Sequence, residues 1–151
     1  MKKLKLILLM IAAFLFVLPA SYAQKNTDDI LGIWMNEDED AHIEITKRND
    51  QYFGKLVWLK NPTDEDTGKP KLDKENSDET LRSRPTWGLE ILTNFVFDGA
   101  DRWKDGKIYD PKKGKTYSCY MKFEDEKKIK IRGFIGVTLL GRTTYWTRVD
   151  K

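Results

Sequence analysis

The stretch Trp103–Phe123, WKDGKIYDPKKGKTYSCYMKF, decides the architecture. Asp105-Gly106 is a two-residue hairpin signal, because the primed turns need φ > 0 and Gly adopts it without strain. Asp110-Pro111 followed by Gly114 is a second, longer turn, in which Pro presets φ and Gly takes the left-handed position. Beyond it Tyr117, Cys119, Met121 and Phe123 alternate with Thr116, Ser118, Tyr120 and Lys122. A period of two with one apolar face marks a strand. Short strands joined by tight turns predict an antiparallel sheet.

Working outward, the same pattern recurs. Ile43 and Ile45 oppose His42, Glu44 and Thr46; Leu89, Ile91, Thr93, Phe95 and Phe97 share a face; Ile129 and Ile131 oppose Lys128, Lys130 and Arg132. Residues 51–59 are apolar on both faces, so periodicity leaves their inward side open. Asn26 to Asp29 offers a cap and early acids for one helical turn before a first strand at Gly32–Met35. Asn36 to Asp40, NEDED, reads as a solvated turn. Residues 60–84 are almost empty of large apolar side chains, as a long flap is, and Ser77-Asp78-Glu79 begins a short helix that Pro85 stops. Residues 134–141 form a connection too apolar for an ordinary surface loop. The fold class is therefore all-β: about eight antiparallel strands, closing as an up-and-down barrel that removes sheet edges. A two-sheet β-sandwich is the alternative. An eight-stranded barrel is either filled by side chains or holds one small ligand.

Residues 1–23 read as a secretory signal peptide, with Lys2, Lys3 and Lys5, an apolar run from Leu6 to Leu18, and small residues at Ser21 and Ala23. Cleavage before Gln24 would leave 24–151 as one exported domain, in the periplasm or outside the cell. The run is shorter than the roughly 20 residues a spanning helix needs, so no transmembrane span is expected in the mature chain. The full chain carries a net charge of +3, and the signal accounts for it with three lysines and no acid. A balanced mature chain exerts no long-range pull on nucleic acid, and no such partner is expected. The lone Cys119 lies on an apolar strand face and reads as a small buried hydrophobe.

Gly32-Ile33-Trp34 after a helical turn is similar to the G-x-W opening of lipocalin-type barrels. A broader resemblance spans most of the mature chain. It rests on Gly32-Ile33-Trp34, Asp73, Asn76, Asp78, Arg82-Ser83-Arg84-Pro85 with Gly88-Leu89, and Gly106 to Pro111. It continues through Gly114 to Tyr117, Arg132 to Gly136, Leu140 to Thr143, and Trp146-Thr147-Arg148. With these ordered blocks the chain resembles the bacterial exported family of unknown function DUF2147. The resemblance implies a lipocalin-like exported barrel and no particular activity.

The chemistry-bearing residues are few. One His, His42, leaves a single base for any nucleophilic triad, and no G-x-S-x-G elbow or Gly-rich phosphate loop occurs. One Cys and one His are too few for the usual zinc ligand sets. No enzyme activity, cofactor or metal is expected. A polar constellation remains: Asp73, Asn76, Arg82, Arg84, Tyr109, Asp110, Lys115, Arg132 and Arg142. Read structurally, Asp110 caps its own turn and Asp73 or Asp78 pairs with Arg82 or Arg84 to pin the long loop. Read functionally, these groups line a pocket mouth and hold an anionic headgroup, since Arg presents paired donors to carboxylate or phosphate. The aromatic residues are core or cavity lining. The candidate ligand-binding set is Arg82, Arg84, Trp103, Tyr109, Asp110, Lys115, Tyr117, Arg132, Arg142 and Trp146. The expected function is a non-enzymatic barrel holding a small amphipathic or lipid-like ligand. The alternative is a solid-core module that binds an envelope protein through residues 134–140. A carboxylate hydrolase of envelope polymers ranks third.

Overall fold

The computed structural model describes residues 26–149. The expected signal peptide and its cleavage point lie outside the described residues. Eight strands follow one another: β1 (Gly32–Met35), β2 (Ala41–Arg48), β3 (Gln51–Leu59), β4 (Glu90–Phe97), β5 (Arg102–Asp110), β6 (Lys115–Phe123), β7 (Lys128–Phe134) and β8 (Gly141–Arg148). Each pairs antiparallel with the next, and β8 returns to β1 through Trp34↔Arg148 and Met35↔Thr147. The result is a closed up-and-down barrel. Closure excludes the sandwich, which would keep two sheets with separate edges. A 3₁₀ turn over Thr27–Ile30, capped by Asn26, precedes β1. The short helix of the flap is a second 3₁₀ turn, Glu79–Leu81, capped by Asp78.

Simple alternation holds in β2, β6 and β7, where Ile43, Ile45, Cys119, Met121, Ile129 and Ile131 are all buried inside. It fails where a strand carries an extra residue, because one inserted residue flips every later side chain to the other face. Asp105-Gly106 is such a place. It is not a hairpin: β5 runs straight through it, and the register slips between Trp103↔Met121 and Gly106↔Cys119. Asp105 takes φ 61°, and Asn94 beside it in β4 takes φ 60°. The two irregularities face each other across the β4–β5 pair, so Thr93↔Lys107 and Val96↔Lys104 stay aligned. A Cβ on Gly106 would fall into the Phe95 ring. The glycine is there to let that ring lie against the β5 backbone, not to turn the chain.

β3 resolves in the same way. His42 pairs with Trp58 and Ile43 with Leu56, which leaves Val57 as the extra residue. Tyr52 and Leu56 therefore point inward, whereas Trp58 lies outside and stacks on His42 at 4.5 Å. The single face expected for β4 is likewise broken, since Ile91 and Leu92 are both buried.

One end of the barrel is solid. Trp103 is its hub, with ring centroids 4.9 Å from Phe97, 5.8 Å from Phe123 and 6.1 Å from Tyr52. Trp34 packs on Phe123 and donates its indole N–H to Ile30 O at 2.9 Å. The Arg148 guanidinium lies 4.2 Å above the Trp34 ring and donates to the carbonyls of Leu31 and Asp29. The first strand, the last strand and the entering 3₁₀ turn are thereby locked together. Asp28 accepts from Tyr52 Oη and Lys47, and the Lys47 hydrogen bond holds its carboxyl below the usual value.

Candidate functional site: the open mouth

In an antiparallel meander alternate connections share an end. Residues 36–40, 60–89, 111–114 and 135–140 therefore gather at the end opposite the aromatic plug. Beneath them the barrel is hollow. A cavity of about 870 Å³ is walled by Ile43, Leu56, Ile91, Ile108, Ile131 and Trp146 and roofed in part by Leu72 of the flap. It is large enough for a small ligand, with an apolar wall below and a charged rim above, where Lys71, Lys112, Lys113 and Arg142 lie among the carboxylates of Glu37, Asp38, Asp40 and Asp110. Gly133 contributes room: a Cβ there would point between Ile108 and Tyr117, in ordinary contact distance.

The flap is pinned by a buried carboxylate. Asp73 is fully buried and accepts from Tyr109 Oη at 2.6 Å, Asn76 Nδ2 at 2.8 Å and Arg84 at 2.9 and 3.0 Å. Burial, then the hydrogen bond to Asp73, pushes the Tyr109 phenol up to about 12. Arg82 donates to Asn76 O and pairs with Glu79, bracing the 3₁₀ turn. Gly114, at φ 64°, lies directly under the flap: a Cβ there would fall on the Glu75 carbonyl. Asp110 caps its own turn by accepting from Lys112 N. These residues hold the roof in place.

The ten candidate residues therefore divide. Tyr109, Asp110, Tyr117, Arg142 and Trp146 line the main cavity. Arg84 and Lys115 line a second space of about 550 Å³ that shares Tyr109 and Tyr117 with the first. Arg82 belongs to the flap. Trp103 is a correction, since it sits in the plug at the far end. Arg132 is another: it points outward and donates to Thr138 O, Leu139 O and Thr143 Oγ1, bracing the 135–140 loop. The alternation of Ile129 and Ile131 already placed Arg132 on the outer face.

Sequence reasoning missed Lys71, Lys112 and Lys113 at the rim. Lys112 reaches from the β5–β6 turn to Asp40 at 2.7 Å and Asp38 at 3.2 Å, in the β1–β2 turn. Those turns lie on opposite sides of an eight-stranded circle, so the ion pairs span the mouth as a latch. Burial raises the Asp40 carboxyl, and hydrogen bonds from Lys112 and Asn36 outweigh it, leaving Asp40 below its ordinary value. Lys71, Lys113 and Arg142 make no ion pair among the described residues.

Burial pushes the Cys119 thiol far up, which keeps it protonated and unreactive. Among the described residues no group of three or more His, Cys, Asp or Glu is placed to hold a metal ion. No helix among them is long and apolar enough to cross a membrane.

A closed eight-stranded up-and-down meander with a plugged end and an open end is a lipocalin-like barrel. The chain belongs to the bacterial family described as "Uncharacterized protein conserved in bacteria (DUF2147)", whose model matches residues 32–148. A similar solved structure is that of protein HP1028 from the human pathogen Helicobacter pylori, which its title assigns to the lipocalin family. It is 23% identical, covers 80% of this chain and 83% of its own, and superposes with a TM-score of 0.68. At that identity the likeness shows the fold. No match was found among curated proteins.

Proposed function

We propose that this chain is an exported, non-enzymatic binding barrel for one small amphipathic or lipid-like ligand. The half-empty interior carries this reading: an apolar cavity of about 870 Å³, open at one end. An apolar tail fits the wall of Ile43, Leu56, Ile108 and Ile131. An anionic head fits the rim, where Arg142, Lys71 and Lys113 form no ion pair among the described residues. Guanidinium and ammonium groups are suited to carboxylate or phosphate. The apolar run and charged start of residues 1–23 support export to the periplasm or the outside. The solid-core interaction module loses its premise to the cavity and keeps one supporting feature, the exposed 135–140 loop.

Native mass spectrometry of the protein recovered after export from a bacterial host, followed by solvent extraction, tests the reading. The expected result is a reproducible excess mass matched by one class of extracted amphiphile. Gly133→Leu, which fills the cavity, should abolish it, and Arg142→Ala should weaken it. A clean polypeptide mass, with no uptake of added fatty acids or lysophospholipids, would overturn the reading.

A further inference from the structure

The 135–140 loop, IGVTLL, presents Ile135, Val137, Leu139 and Leu140 at 68, 59, 87 and 70% exposure. Monomeric soluble proteins seldom leave so much contiguous apolar surface in water without a use for it. The loop is held in this pose: Arg132 clamps the carbonyls of Thr138 and Leu139, and Ile135 N–H bonds Leu140 O at 3.1 Å. Its inner flank, Phe134, Ile135 and Leu140, is also cavity lining, so the loop joins the cavity entrance.

Charge is distributed around the barrel in a matching way. Residues 102–149, which form β5 to β8, carry 13 Lys and Arg against 5 Asp and Glu. Residues 26–101, which form β1 to β4 and the flap, carry 9 against 18. A chain that is neutral by count is thus strongly polar in charge, with one basic half-wall and one acidic. The apolar loop belongs to the basic half. Its neighbours at the mouth are the basic turn Pro111-Lys112-Lys113-Gly114-Lys115 on one side and, across the β8–β1 closure, the acidic turn 36–40, and Ile135 shares the smaller cavity with Lys115 and Lys107. Lys107, Lys113, Lys115, Lys130 and Arg142 form no ion pair among the described residues.

We propose that this edge of the mouth docks on an anionic lipid bilayer, with the 135–140 loop inserted among the acyl chains and Lys107, Lys113, Lys115 and Arg142 against the headgroups. The combination matches what interfacial anchors use: apolar side chains that enter the boundary region and cations that meet anionic lipid. A bilayer suits the loop because its exposed apolar side chains insert into it, and because the same contact turns the cavity entrance toward lipid. The acidic half, repelled by the headgroups, sets the tilt. The inference goes beyond ligand binding and stands whether or not the cavity is filled.

Vesicle flotation of the exported protein tests it, using phosphatidylcholine vesicles with and without phosphatidylglycerol. Mass spectrometry first fixes the N-terminus, so that the apolar residues 1–23 are not mistaken for loop binding. Binding should appear on the mixed vesicles, weaken with salt, and be faint on phosphatidylcholine alone. Leu139→Ser with Leu140→Ser should lower it about tenfold or more, given the apolar area removed, with an unchanged melting curve because both side chains are exposed. Lys113→Glu with Lys115→Glu should lower it comparably and remove the salt dependence. Equal binding by the loop variant would overturn the proposal. So would dimerisation that the loop variant abolishes in the absence of vesicle binding, which would assign the loop to a second copy of the chain.

Discussion

The two ends of this barrel are built from the same strands and do opposite things. At the closed end Trp34, Trp103, Tyr52, Phe95 and Phe123 fill the lumen. Around the cavity Tyr117 and Trp146 share the wall with Gly133, Ala41 and medium aliphatic side chains, and the lumen stays open. Side-chain volume at inward positions is the difference. Large rings on adjoining strands meet across the lumen, whereas small and medium residues leave a gap between them. The plug supplies stability and the open end supplies space, so the same deletion should cost differently at each.

The largest effect is expected at the hub. Trp103→Ala should cost about 3–5 kcal/mol, because a buried ring is replaced by a cavity in a packed region. A melting temperature lowered by about 10 °C or more would show it. Trp103→Phe should be far milder, below about 1.5 kcal/mol, because the indole N–H it removes has no hydrogen-bond partner. Equal losses from the two variants would break the account of the plug.

A matched pair sharpens the contrast. Ile129→Ala in the fully buried end should cost about 2–5 kcal/mol by urea denaturation, and Ile108→Ala, beside the existing cavity, about 1 kcal/mol. Equal costs would mean that the open end is packed in solution.

Gly114→Ala comes next. It combines strain at φ 64° with a collision at the Glu75 carbonyl, and should cost about 1–3 kcal/mol. Hydrogen exchange should localise the loosening to the flap, leaving the plug protected.

The smallest effect concerns the latch. The folded Asp40 value lies below its unfolded one, so its contribution is complete above about pH 4 and lost as the pH falls through the lowered value. Release of a non-ionisable amphipathic fluorophore should therefore be flat from neutral pH to about 5 and faster below about 4. Lys112→Met should release it faster at neutral pH and lose the acid step. A step near neutral pH would exclude the latch as its cause.

Much of this was legible in the chain. The alternation of Ile43 and Ile45, of Cys119 and Met121, and of Ile129 and Ile131 reports a half-buried antiparallel strand, and local sterics suffice to produce that pattern. The pinning of the flap by Asp73 and Arg84 was also among the readings open from sequence. What misled was the Asp105-Gly106 pair. A left-handed residue beside a glycine serves a hairpin or a bulge equally well, and the choice depends on whether the strand's partners continue past it. β4 and β6 both do. The inward faces of β3 and β4 were hidden for the same reason, since the extra residues at Val57 and Asn94 shift the parity.

By itself the sequence determined the antiparallel strands and their approximate number, the turn at Asp110-Pro111, the flap and the G-x-W entry, all of which rest on interactions between residues close in the chain or on one strand face. The tertiary structure alone decided closure, the plug, the cavity and the roles of the arginines. Those depend on which side chains from distant strands meet across the lumen. Trp103 and Trp146 are both buried inward-facing tryptophans, and only their tertiary neighbours differ: the rings of Tyr52, Phe97 and Phe123 pack on the first, whereas the second borders the cavity.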